Sequence, residues 1–422
     1  MKPEPLEIGA VPPGLPPWRP PAGAPTEAGA VAASVSFTPG APQRFTLDGG
    51  PALEQRLAEI CAAVGRGVQA AISPNQLEGL LLGGGYGRGE GGVLATPTGE
   101  EPYNDLEFYV FVAGNALLGE RRFGPALRAL GHRLSAEFGI EIEFKLLSRA
   151  KLRAAAPAMF YYDLVVGHRW VIGGEALLEG CGHHQAGERI PLSEATRLLF
   201  NRGSGLLFSQ ARLAGGAWTD ADADFVGRNL AKMQLALGDV FLAARGRYHW
   251  SCRERHRRLL AEQAAHPSGW LTAVVPHHTA GVAFKLRPRR SRAAANAAAQ
   301  SHAELNALAR DLWLWLESGR LGAAFPTARD YALSPVDKCP ETTGLRNRLV
   351  RLKAFGPRAL WAPNAARYPR QDLLQALCLL LWEPATLADP TLLRRVQTDL
   401  GTTATTLAGL VAAYEPRWHR FN

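Results

Sequence analysis

The chain has 422 residues, 47% hydrophobic and 20% charged, with a formal net charge of +9. That length and balance suit an ordinary globular protein of two or three domains with a sizeable core. The positive charge suits a handler of phosphates or nucleic acid, although arginine is abundant throughout, as a coding bias alone would make it. Five scattered cysteines without a CxxC exclude a disulfide framework and point to a reducing compartment. Cys181 with His183 and His184 lacks a complementary cluster at zinc-ligand spacing. No segment reaches the roughly 20 apolar residues of a membrane span, and no secretory signal is visible. The expectation is a soluble, cytoplasmic protein with no membrane partner.

Residues 1–48 are rich in Pro, Gly and Ala and read as an extended or disordered leader. From Pro51, which suits a first helical turn, Leu53, Leu57, Ile60, Val64 and Val68 recur at helical spacing. LEGLLLGG then reads as a strand ending in a glycine turn, and residues 104–112 as a second strand. A helix is expected over 119–138 and a strand over 139–148, where Ile140, Ile142 and Phe144 face one way and Glu141, Glu143 and Lys145 the other. Residues 168–178 read as one more short strand and turn. Beyond Pro191 the pattern is helical. Ser193 is placed to cap a helix through Leu213, and further helices are expected over 222–245, 303–318, 342–354, 370–382 and 390–413. FKLRPRRSR, 284–292, reads as a basic loop. The fold class expected is α+β, with a small mixed-sheet domain over 49–190 and a mainly helical domain over 191–422.

The chemistry concentrates in residues 80–111. Gly87–Gly92 formally matches GxGxxG, but Pro97, Gly99 and Pro102 interrupt the helix that a dinucleotide fold requires. Asp105 and Glu107 project together from a strand, about 6–7 Å apart at their Cα atoms. Like charges this close repel unless a cation lies between them. Magnesium suits such a site, because it takes hard oxygen ligands and shares its shell with phosphates. Glu141 and Glu143 offer a third acid from one face of the neighbouring strand. Backbone amides after the glycine turn suit phosphate oxygens.

An apolar strand, Gly84-Gly85, then Asp105-x-Glu107 in an apolar strand and a later acid together resemble the DNA polymerase beta-like nucleotidyltransferase superfamily, in its small bacterial form with a C-terminal helical domain. The match covers roughly residues 51–180. The gap from Gly85 to Asp105 is longer than usual, and Gly replaces the common Ser. The resemblance implies catalytic and metal-binding roles for Asp105, Glu107 and Glu143, with Glu143 preferred to Glu141, and two Mg²⁺ ions. It implies nucleotide-binding roles for Gly84, Gly85, Tyr86, Arg88 and Lys232, with Arg202 and Arg228 further candidates for the triphosphate.

The function this implies is transfer of a nucleoside monophosphate from an NTP, ATP in the first instance, to a hydroxyl, releasing pyrophosphate. The acceptor stays open among a small molecule, a protein and an RNA. The alternative is a non-catalytic module that senses nucleotides or binds a partner on the same fold. A phosphotransferase is disfavoured, because the kinase-type His-Arg-Asp and Asp-Phe-Gly segments are missing.

Overall fold

The computed structural model describes residues 15–18 and 44–422, residue 363 apart. Most of the leader therefore lies outside the described residues. The two pieces that are described are packed, where an extended or disordered leader was expected. Leu15 is buried, Trp18 meets Trp315 edge-on at 4.8 Å, and the Trp315 indole donates to the Pro16 carbonyl. Phe45 joins the core of the first domain. Large apolar side chains outweigh the ordering cost of these short segments.

The first domain opens with helix α1 (Pro51–Ala71), strand β1 (Leu77–Leu82) and a single helical turn, α2 (Gly84–Gly87). Strands β2 (Val93–Thr96) and β3 (Gly99–Pro102) form a separate hairpin, which is the long insert between the glycine turn and the acids. Then follow β4 (Leu106–Val112), α3 (Ala116–Phe138), β5 (Ile142–Leu147), α4 (Arg149–Ala154), α5 (Met159–Val166) and β6 (Arg169–Ile172). The main sheet runs β5-β4-β1-β6, parallel between β4 and β5 and antiparallel elsewhere. It is mixed, as expected.

Strand alternation divides the sheet's side chains between two layers. Leu80, Leu82, Leu106, Phe108, Val110 and Val112 pack with residues of α1 and α3. Leu81, Tyr109, Phe111 and Leu147 pack with α4, α5 and the segment up to Cys181. The second layer reaches only as far as Tyr109, which lies 5.5 Å from Phe160 between ring centroids. Asp105 and Glu107 share that face and lie beyond its cover.

The second domain is helical: α6 (Leu192–Leu213), α7 (Asp220–Ala244), α8 (Cys252–Ala265), α9 (Gly269–Leu286), α10 (Ala295–Leu321), α11 (Ala328–Leu333), α12 (Gly344–Phe355), α13 (Pro369–Trp382), α14 (Pro390–Leu400) and α15 (Leu407–Phe421). It encloses its own core, in which Trp313, Trp315, Phe241 and Tyr414 are buried. Three expectations are corrected. Ser193 is not a cap, since α6 starts at Leu192 behind Pro191 without a side-chain cap. The helix expected over 390–413 is two helices, because Gly401 takes a left-handed conformation (φ 57°) that stops α14. The basic loop begins inside α9, whose last turn carries Phe284 and Lys285. No helix is long and apolar enough to cross a membrane among the described residues.

Candidate functional site

Parallel pairing of β4 and β5 brings the acids together. Glu107 is paired with Glu143, and Tyr109 with Lys145. Oxygen atoms of Asp105, Glu107 and Glu143 lie within 4.8 Å of one another, and all three residues are half-buried. Among the described residues this is the one group of at least three His, Cys, Asp or Glu side chains close enough to hold a metal ion. Glu141 stands before the start of β5, exposed, and contributes its carbonyl to the Leu106 amide at 2.8 Å. The structure thus separates the two candidates for the third acid. Cys181, His183 and His184 form no such group: His183 and His184 each use Nε2 on a backbone carbonyl, those of Ala155 and Leu152.

The backbone aims the first acid. Asn104, just before it, has φ 75°, a left-handed conformation that costs a non-glycine residue free energy. Its side-chain amide donates to Asp105 Oδ1. Burial, and next the charge of Glu107, raise the Asp105 carboxyl above its usual range. A resident cation offsets part of the repulsion. Lys145 Nζ donates to Glu107 Oε1 at 2.5 Å and lies 3.7 Å from Glu143 Oε2. Burial lowers the affinity of Lys145 for its proton, but its bond to Glu107 and the charges of all three acids more than compensate, so its pKa is raised. Sequence reasoning placed Lys145 on the acidic face without giving it a role.

The glycine turn lies against these acids. Gly84 has φ 61°, and a Cβ on it would stand 3.3 Å from Glu107 Oε2, so a larger residue would be both strained and crowded. A Cβ on Gly85 would stand 3.0 Å from the Glu90 carbonyl oxygen and 3.4 Å from Lys285 Nζ. The amides of Gly84 and Gly85 have no hydrogen-bond partner among the described residues.

Two residues expected to touch nucleotide are turned elsewhere. Tyr86 is buried; its hydroxyl donates to the Gly92 carbonyl at 2.7 Å and accepts from the Tyr103 amide at 2.7 Å. An aromatic ring next to a glycine turn is drawn into the core by its apolar area. Arg88 donates to Asp163 at 2.9 Å with little of its side chain exposed. Both residues brace the turn from behind.

The opposite wall comes from the helical domain. Lys232 on α7 is solvent-accessible yet hemmed in by protein. Burial, then the charges of Arg202 and Arg228, bring its pKa down to about 8, with Asp105 acting in the other direction. Lys285, half-buried at the end of α9, has its pKa lowered by burial and next by the charge of Arg88. Lys232, Lys285 and Arg202 have no ion pair among the described residues, while Arg228 lies 3.2 Å from Asp224. Lys285 was read as part of a solvated loop; the turn of α9 puts it on Gly85 instead. Arg287, in the same stretch, is tied to Glu100 at 2.6 Å and to Asp48 at 3.1 Å, so it joins the domains.

A buried polar seam lies beneath the turn. Glu90 accepts from Ser251 Oγ at 2.6 Å and from the Cys252 amide at 2.9 Å, fastening the turn to the start of α8. The Tyr248 hydroxyl donates to Asp163 at 3.3 Å. Arg255 donates to Asp239 at 2.6 Å, and His278 lies 3.1 Å from the same oxygen. No family model, no curated protein and no solved structure matches the chain.

Proposed function

We propose that the protein is a metal-dependent nucleotidyltransferase of the DNA polymerase beta-like superfamily, moving a nucleoside monophosphate from an NTP to an acceptor hydroxyl. One observation carries this reading. Three carboxylates, two on adjacent parallel strands and Asp105 just before β4, have oxygens within 4.8 Å of one another and stand beside a glycine turn and near Lys232 and Lys285, which lack ion-pair partners among the described residues. Such a juxtaposition of acids and free cations suits a ligand that brings both a divalent metal and phosphates.

The residues fit magnesium. All three donors are hard oxygens, and the Asp105 carboxyl, raised first by burial and next by the charge of Glu107, is one that a bound cation would hold ionised. Magnesium held by Asp105, Glu107 and Glu143 supplies charge neutralisation at the reacting phosphate. Lys232, Lys285 and the amides of Gly84 and Gly85 receive the β- and γ-phosphates. The acceptor oxygen attacks the α-phosphorus, and its proton passes to Glu143. The bond from the α-phosphorus to the bridging oxygen breaks, and pyrophosphate leaves with the electron pair.

Thermal unfolding with each of ATP, CTP, GTP and UTP, with and without Mg²⁺, tests the reading on wild type and Asp105→Ala. A ligand at about a hundred times its Kd adds roughly 2.7 kcal/mol of stability. A Mg²⁺-dependent shift lost in the variant is expected. No shift with any nucleotide would overturn it. A second reading, a non-catalytic module, is favoured by Lys145, whose ammonium already neutralises part of the acid group. Turnover of NTP to pyrophosphate separates the two.

A further inference from the structure

We propose that the acid group binds a single divalent cation, with the Lys145 ammonium standing where a second would be. This rests on the metal-site reading above and sharpens it, since the resemblance by itself implies two ions.

Glu107 decides the count. A carboxylate that bridges two ions presents one oxygen to each. Each oxygen of Glu107 already accepts one hydrogen bond, which leaves it a single lone pair, and on the Oε1 side the donor is itself a cation. Oε1 accepts from Lys145 Nζ at 2.5 Å, and Oε2 accepts from the Tyr109 hydroxyl at 3.3 Å. Both donors belong to the sheet itself. Tyr109 and Lys145 are register partners on β4 and β5, one pair further along the face than Glu107 and Glu143. Lys145 also lies over the Tyr109 ring, 5.8 Å from its centroid, which holds the ammonium in place. Tyr109 is buried, so its hydroxyl has little freedom to turn away.

The charges agree. Asp105, Glu107 and Glu143 carry three negative charges, and Lys145 carries one positive. One divalent ion brings the group to neutrality. A second would leave an excess of positive charge against Lys145, whose ion-pair partners among the described residues are Glu107 and Glu143. Asp105 makes no ion pair with Lys145, so the single ion fits towards Asp105, shared with Glu143 and with the remaining lone pairs of Glu107.

Mn²⁺ titration of the full chain, with free aqueous Mn²⁺ followed by electron paramagnetic resonance, tests this without turnover. Wild type is expected to take up one Mn²⁺ per chain. Lys145→Met is expected to take up two, with the first about tenfold tighter, as removal of a like charge a few ångströms away implies. Lys145→Arg keeps the charge and is expected to behave as wild type, which guards against a folding defect. Circular dichroism checks that both variants fold. Two ions in wild type would overturn the proposal while leaving the metal site standing. So would one ion of unchanged affinity in Lys145→Met. No Mn²⁺ uptake by wild type or by Lys145→Met would overturn the metal-site reading, and this proposal with it.

Discussion

The acid group on β4 and β5 and the polar seam beneath the glycine turn both concentrate charge, but they neutralise it differently. In the seam, Asp239 is met by Arg255 and His278, and Asp163 by Arg88 and Tyr248, all inside the protein. Burial would raise the Asp239 carboxyl, yet Arg255 and His278 hold it below its usual range. At the acid group three carboxylates share one lysine, and Asp105 sits above its usual range. A buried network in which each acid meets a cation joins the domains. An under-neutralised, half-exposed one has capacity left for a ligand.

That contrast is broken most severely in the seam. Asp239→Ala leaves Arg255 buried without its ion-pair partner and His278 Nε2 without its hydrogen-bond partner, and should cost about 3–5 kcal/mol, read by chemical denaturation. Glu90→Ala removes the acceptor for Ser251 and the Cys252 amide; a loss of about 1–3 kcal/mol is expected from the same measurement. Asp105→Asn should do the reverse. Its carboxyl is harder to ionise in the folded protein than in the unfolded chain, so ionisation withdraws stability as pH rises through the folded value. The amide should leave apo stability unchanged or raise it by up to about 0.5 kcal/mol, while the metal-dependent nucleotide shift disappears.

The smallest effect is a pH dependence with two signs. Lys232 has a folded pKa of about 8, below that of the unfolded chain. Between about 8 and its unfolded value of about 10.4 the unfolded chain binds more protons, so apo stability should rise with pH in that window. Nucleotide affinity should fall over the same range as the ammonium is lost. Titration calorimetry at pH 7 and pH 9.5, on wild type and Lys232→Arg, checks this. The arginine should keep its affinity at both.

The strands that carry the acids were legible because their periods are local: Asp105 and Glu107 alternate with Leu106 and Phe108 in a run that grows apolar where the strand is covered. The choice between Glu141 and Glu143 was not, since it depends on the register between strands whose sequences are joined by α3. Helix α9 was missed because Pro276 and Gly281 interrupt its pattern, and with it went the position of Lys285 on Gly85. Tyr86 and Arg88 were misjudged for a related reason. A motif gives the order of residues around a turn, whereas the core behind that turn decides which of them face outward.

The β2–β3 hairpin spans the path from the glycine turn to Asp105. The Tyr86 hydroxyl joins Gly92, just before the hairpin, to Tyr103, just after it. The two ends are pinned side by side, whatever length of chain lies between them. The turn between Thr96 and Gly99 is therefore a point at which sequence can be inserted while Asp105 keeps its place and Glu100 its bond to Arg287. Length added there changes the surface at the edge of the acid group and leaves the spacing of its carboxylates alone.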